Sequence, residues 1–174
     1  IFGDVCTATI IERADTVSSE GHFEVVSAKL ATTFSNNIRN NFGFLNRLSP
    51  ETRDNKDKLF IQDGRSVFKQ VLPLVTELIL SRLEQSNISR EQLKRLWLHQ
   101  ANLTMNQFIS KKVLGKGFNS KDAPVILDEY GNTSSAGSII SFHKYSNDLV
   151  SGDVGVICSF GAGYSAGSVI VERL

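Results

Sequence analysis

The 174 residues are 41% hydrophobic and carry 19 Lys and Arg against 18 Asp and Glu. That is enough apolar content for one globular domain with its own core, and the near-neutral balance asks for neither nucleic acid nor an anionic membrane as partner. No apolar run reaches the length of a membrane span, so the expectation is a soluble, cytoplasmic chain without signal peptide, repeat or low-complexity tract.

Val5 to Ile11 and Phe23 to Leu30 read as strands separated by the turn-rich "RADTVSSEG", the pattern of antiparallel neighbours. The opening runs straight into strand-like sequence without Met at position 1, so the chain is expected to begin in mid-fold. Next comes the polar excursion "TTFSNNIRNNFGFLNRLSPETRDNKDKLF", long enough to be a flap and too rich in Phe34, Phe42, Phe44 and Leu45 for a solvated linker. Asp63 can cap a helix over about Gly64 to Gln85, whose apolar residues cover more than one face and whose Pro73 is expected to bend it. "SREQ" at 89 to 92 has the form of a capping box and opens a short helical turn. A strand "RLWLH", a helix from about Leu103 to Leu114, a strand "PVILD", a helix from about Ser134 to Tyr145 and a final hairpin follow. This alternation predicts an α/β fold with helices packed on a mixed sheet.

The glycine-rich "SFGAGYSAGS" at 159 to 168 raises the question of a dinucleotide, but β-branched runs flank it and no helix follows. It reads as a hairpin whose backbone approaches something else. Two further loops come after predicted strands: "HQAN" at 99 to 102 and "GNTSSAG" at 131 to 137. Ligands gather at strand ends in α/β sheets, which makes the three loops candidates for one site. His99 offers an imidazole, Asn132 a carboxamide with two N–H donors, and the loop from Gly161 to Gly163 offers backbone N–H groups. Such donors suit an oxyanion, the charge that a thioester carbonyl acquires as enolate or tetrahedral intermediate. Taken alone, a His at a strand end is more often a structural hydrogen bonder than a catalyst, and an Asn after Gly is most often a turn residue. Cys6 and Cys158 lie in apolar, strand-like runs without metal-ligand spacing, which predicts buried free thiols; His22 and His143 have no companion motif.

At "HQAN", "GNTSSA" and "FGAGYSAGS" the chain resembles the C-terminal half of the β-ketoacyl-acyl-carrier-protein synthase III family, of thiolase fold. "FGD" at 2 to 4 resembles the segment that closes that family's N-terminal half, and "GRSVFK" at 64 to 69 its long central helix. The resemblance implies a boundary near residue 62: residues 1–62 would be the end of the N-terminal half plus the flap and connection, and 63–174 the C-terminal half. It implies that His99 and Asn132 are the catalytic pair that stabilises the enolate formed when a malonyl thioester loses carbon dioxide. Phe160 would stand beside the site, and the Ala162 N–H would fill an oxyanion-hole position where the family commonly has Gly. Gly64, Phe68, Ala101 and Asn102 would line the pantetheine tunnel. Lys111 and Lys112 would dock the acidic carrier protein, with Thr104 standing where a further arginine is common.

The family's nucleophile is a cysteine at a helix N-terminus in the N-terminal half, and neither Cys6 nor Cys158 lies in that context. The resemblance therefore implies an acyltransferase fragment that needs a cysteine-bearing half, inactive alone and a homodimer when intact. It implies no cofactor or metal; coenzyme A or the phosphopantetheine of acyl carrier protein is the substrate carrier. Two alternatives stay open: a thiolase-fold acyltransferase using another acceptor, or a non-catalytic half-subunit that pairs with a cysteine-bearing chain.

Overall fold

A computed structural model of the chain describes residues 2–17, 21–40, 49–55 and 60–174. Its main sheet is four-stranded in the order β1-β6-β5-β4, from β1 (Phe23–Ser35), β4 (Leu93–Leu98), β5 (Val154–Gly161) and β6 (Gly163–Arg173). β4 runs parallel to β5, and the other pairs are antiparallel, so the sheet is mixed. β2 (Ile38–Asn40) and β3 (Phe60–Gln62) form a small two-stranded ribbon. The helices are α1 (Gly64–Gln85), α2 (Leu103–Val113), α3 (Leu127–Tyr130) and α4 (Ala136–Lys144).

Side chains of β4 to β6 alternate between the faces, as strand geometry requires. Leu96, Leu98, Val156, Cys158, Phe160 and Ile170 join one core with Val71, Val75 and Ile79 of α1 and Ile109 of α2. On the opposite face Trp97 packs with Leu149 and Val171, with Phe23 and Phe142 of α4 edge-on to its ring at 6.3 and 4.9 Å. Gly155 makes room for this ring: a Cβ there would sit 2.2 Å from Trp97. The Trp97 indole N–H and the buried Arg95 guanidinium both donate to the Tyr145 carbonyl, at 3.2 and 2.7 Å, which anchors the C-terminal end of α4 on β4.

α1 forms where its cap predicts. The Asp63 side chain accepts from Ser66 N–H at 3.1 Å, and the helix continues through Pro73 to Gln85. "SREQ" opens a 3₁₀ turn over Arg90–Gln92, with Gln92 Oε1 accepting from Ser89 N–H at 2.7 Å.

Two predicted strands are absent. Val5 to Ile11 is exposed, irregular chain, and Phe23–Ser35 pairs instead with the last strand, β6. The β-branched pattern of the first run has no partner among the described residues, and alternation alone does not make a strand. "PVILD" is likewise no strand: residues 124 to 126 are irregular and Leu127 begins α3. The fully buried Gln100 amide takes the place of a ladder here, its Oε1 accepting from Ile126 N–H at 3.1 Å and its Nε2 donating to Leu98 O at 3.0 Å. Cys158 is a buried thiol of β5, whereas Cys6, expected buried, is exposed because its segment forms no strand. Of the flap residues, Phe42, Phe44 and Leu45 lie outside the described residues, and Phe34 is exposed near the end of β1.

Candidate active site

β4 ends at Leu98, and the next residue, His99, is buried with its backbone N–H donating to Cys158 O at 2.7 Å. Its imidazole is thereby fixed at the C-terminal end of the parallel pair β4 and β5. The ring stands 4.7 Å from the Phe160 ring, edge to face, and Nδ1 lies 2.8 Å from the Ser134 carbonyl oxygen. A carbonyl only accepts, so Nδ1 carries the proton and Nε2 is the unengaged nitrogen of the neutral ring. Burial holds the imidazole pKa below its ordinary 6.5, partly offset by the Ser134 hydrogen bond, which favours the charged form.

Asn132 arrives by a different route. The loop that carries it follows α3 rather than a strand, so two of the three loops, not three, extend directly from strands. Its side-chain Oδ1 accepts from the Ser134 N–H at 3.0 Å, an Asx turn that leaves the carboxamide NH₂ as its remaining donor group. Ser134 thus holds both side chains with one residue, its N–H on Asn132 and its C=O on His99. It does so at φ 57°, a left-handed conformation that turns its two peptide groups toward these partners. Ser134 escaped the sequence reading; the Asn-Thr-Ser run signals an Asx turn, but nothing in it signals which histidine would meet the turn. The neighbouring hydroxyls of Ser138 and Ser159 lie 2.7 Å apart and tie α4 to β5 behind this loop.

Phe160 is buried near the end of β5, and Ala162 lies exposed at the hairpin tip, its carbonyl accepting from Ser165 N–H at 3.1 Å. Gly64 begins α1 with open space where a Cβ would stand. Phe68 is half-buried on the same helix and meets Phe108 of α2 edge-on at 6.1 Å. Ala101 is half-buried, and the Asn102 side chain is engaged as the cap of α2, its Oδ1 accepting from Met105 N–H at 2.9 Å. Lys111 and Lys112 are exposed in the last turn of α2, where cations complement the helix dipole, and Lys112 Nζ stands 5.7 Å over the Phe108 ring. The groove beside Lys112, about 940 Å³ and lined by Leu80, Leu83, Ile88 and Arg90, involves neither His99 nor Asn132. Cys158 is no candidate nucleophile, because burial pushes its thiol up to about 12. Among the described residues no helix is long and apolar enough to cross a membrane.

Comparison with known proteins bears on this arrangement. Residues 83–173 match the family described as 3-oxoacyl-[acyl-carrier-protein (ACP)] synthase III C terminal, a stretch that contains His99, Ser134, Asn132 and the hairpin. A beta-ketodecanoyl-[acyl-carrier-protein] synthase of Pseudomonas aeruginosa is 57% identical over 173 residues, covering 99% of this chain and 49% of that protein. A beta-ketoacyl-[acyl-carrier-protein] synthase III of Porphyromonas gingivalis is 33% identical over 122 residues, covering 70% of this chain and 36% of that protein. The crystal structure of 3-oxoacyl-[acyl-carrier-protein] synthase III from Aquifex aeolicus superposes with a TM-score of 0.70 at 21% identity, over 89% of this chain and 46% of that one. The fold is therefore the thiolase-like fold of these synthases, and the chain spans about half or less of the length of the relatives it matches. Through its C-terminal domain the chain belongs to the 3-oxoacyl-[acyl-carrier-protein] synthase III family.

Proposed function

We propose that this chain is the enolate-stabilising portion of a decarboxylating condensing enzyme, and that the nucleophilic cysteine lies in a part of the protein outside these residues. The observation that supports this reading is the shared anchorage of His99 and Asn132 on Ser134, which leaves Nε2 and the carboxamide NH₂ unengaged. In the proposed reaction the bond between the malonyl carboxylate and its α-carbon breaks and carbon dioxide leaves. The bonding pair passes into an enolate whose oxygen faces the two residues. The α-carbon then attacks the acyl group on the cysteine, and the thiolate departs. Asn132 donates an N–H to the enolate oxygen. With Nδ1–H held on the Ser134 carbonyl, neutral His99 presents only a lone pair at Nε2, so the ring becomes the other donor by taking one proton from solvent at Nε2; burial opposes that charge and the enolate anion beside it favours it.

The 57%-identical relative, whose name specifies a β-ketodecanoyl product, supports a medium-chain acyl donor for this chain as well. Removing the carbons supplied by a malonyl unit leaves an octanoyl group, a medium-chain acyl thioester of coenzyme A or carrier protein. Gly64, Phe68, Ala101 and Asn102 border the pantetheine arm in this scheme, with Asn102 contributing backbone, since its side chain caps α2. The Ala162 N–H serves the tetrahedral intermediate beside Phe160, and Lys111 with Lys112 meets the acidic carrier.

The test uses the intact enzyme with malonyl-carrier thioester and, separately, acyl thioester. His99→Ala and Asn132→Ala should each slow malonyl decarboxylation by roughly 10²- to 10³-fold while leaving acylation of the cysteine in place. Undiminished decarboxylation in both variants would overturn the assignment.

A further inference from the structure

Asn132 is held from a second side, by a segment far away in sequence. The Gly3 N–H donates to the Asn132 carbonyl at 3.0 Å, and Phe2 forms a parallel bridge with Asn132. This contact depends on the absence of a side chain at Gly3: a Cβ there would lie 2.1 Å from the Tyr130 carbonyl oxygen and 2.8 Å from Thr133 Cγ2. The nearer obstacle is backbone, which cannot rotate aside as a side-chain tip can. Phe2 is itself steadied against Phe60 of β3, ring centroids 5.6 Å apart. The residues flanking Asn132 are Gly131 at φ 63°, which ends α3, and Thr133, which is buried. The backbone of Asn132 therefore lies between the Phe2–Gly3 segment and the Asx turn to Ser134, and the carboxamide NH₂ is what projects from that clamp.

We propose that Gly3 is a positioning residue for Asn132, its N–H and its missing Cβ together setting where the carboxamide donor stands. The proposal rests on reading Asn132 as a donor to the enolate. Its consequence is that a change at Gly3 acts on decarboxylation through Asn132, and not on the acylation half of the reaction. An error of about 1 Å in the placement of a reacting group costs on the order of 10²-fold in rate, so a displaced backbone here is measurable.

The experiment is a double-mutant cycle in the intact enzyme, reading malonyl decarboxylation and cysteine acylation separately. Gly3→Ala should lower kcat for decarboxylation at least about tenfold with KM and acylation changed less than about twofold. In an Asn132→Ala background the same substitution should have no further effect. Phe2→Ala, at a largely exposed residue and adding no volume, loosens the same segment and should show a smaller loss that also vanishes in that background. If Asn132→Ala leaves decarboxylation unchanged, the functional reading fails. If Asn132→Ala slows it but the Gly3→Ala or Phe2→Ala effect is absent, additive, or shared equally by acylation, the positioning role alone is overturned. Should Gly3→Ala not fold, the Phe2→Ala cycle decides by itself.

Discussion

The strands within residues 93 to 173 and the run within residues 2 to 17 both read as strand-like apolar stretches, yet they end in opposite states. In the first region Leu96, Trp97 and Val156 are completely buried; in the second Ile10 and Ile11 remain 86% and 80% exposed. Hydrophobic pattern specifies which face of a strand would be buried, but burial itself needs a second surface at the right distance. Around β4 to β6 that surface exists twice, with α1 and α2 on one side and α4 on the other. The opening segment touches the rest at Phe2 and Gly3, through hydrogen bonding and one ring contact.

The sharpest way to break the contrast is at Gly155, where the well-buried region tolerates no added atom. Gly155→Ala should cost about 3 kcal/mol of stability, at the high end for overpacking, because the Trp97 ring it strikes is itself wedged by Phe23 and Phe142. Denaturant unfolding would show the lowered midpoint. A midpoint equal to the parent's would mean that the Trp97 face is loosely packed.

A smaller effect separates the regions by pH. His99 is buried with its pKa below 6.5, so the unfolded chain binds its proton first as pH falls. Stability contributed by the neutral ring is thus present above about pH 6.5 and is lost progressively as pH drops through the lowered folded value. His99→Gln should flatten that part of the acid limb in unfolding midpoints measured between pH 7 and pH 4. An unchanged slope would place the acid sensitivity elsewhere.

The smallest effect belongs to the opening segment. Ile10→Ser and Ile11→Ser should each change stability by no more than about 0.5 kcal/mol, since neither side chain gives up a buried contact. A loss of about 2 kcal/mol or more, comparable with truncating a core aliphatic, would show that this run is covered in solution.

Where the sequence reading succeeded and where it failed follows the same division. α1 was legible because its signals are local: Asp63 reaches only to Ser66, and the apolar positions repeat along one helix. The mixed sheet was legible from the alternation of strand and helix signals along the chain. "PVILD" misled because its β-branched residues suit an extended chain, while the group that satisfies its backbone is the Gln100 amide from another loop. In the candidate site, His99 could be singled out from residue type and its place after a strand, whereas Asn132, whose loop follows α3, was singled out by residue type and by the resemblance at "GNTSSA". Ser134 and Gly3 could not, since the left-handed φ of one and the crowding around the other arise only when distant segments meet.

β1 is hydrogen-bonded on one side to β6, and along its thirteen residues the register slips between Val25 and Ser27 and again between Thr32 and Ser35. Its longest uninterrupted stretch is therefore Ser27 to Thr32, with exposed Lys29 inside it. A sheet edge that also displays Val25, Leu30 and Phe34 would otherwise be an inviting template for a strand from another molecule. Each register slip twists the edge and breaks the regular spacing of its outward N–H and C=O groups, so that among the described residues the stretch left for a further strand is short and charged. Among the described residues, then, the two slips cut this edge into pieces shorter than an added strand needs, the arrangement that disfavours edge-to-edge growth.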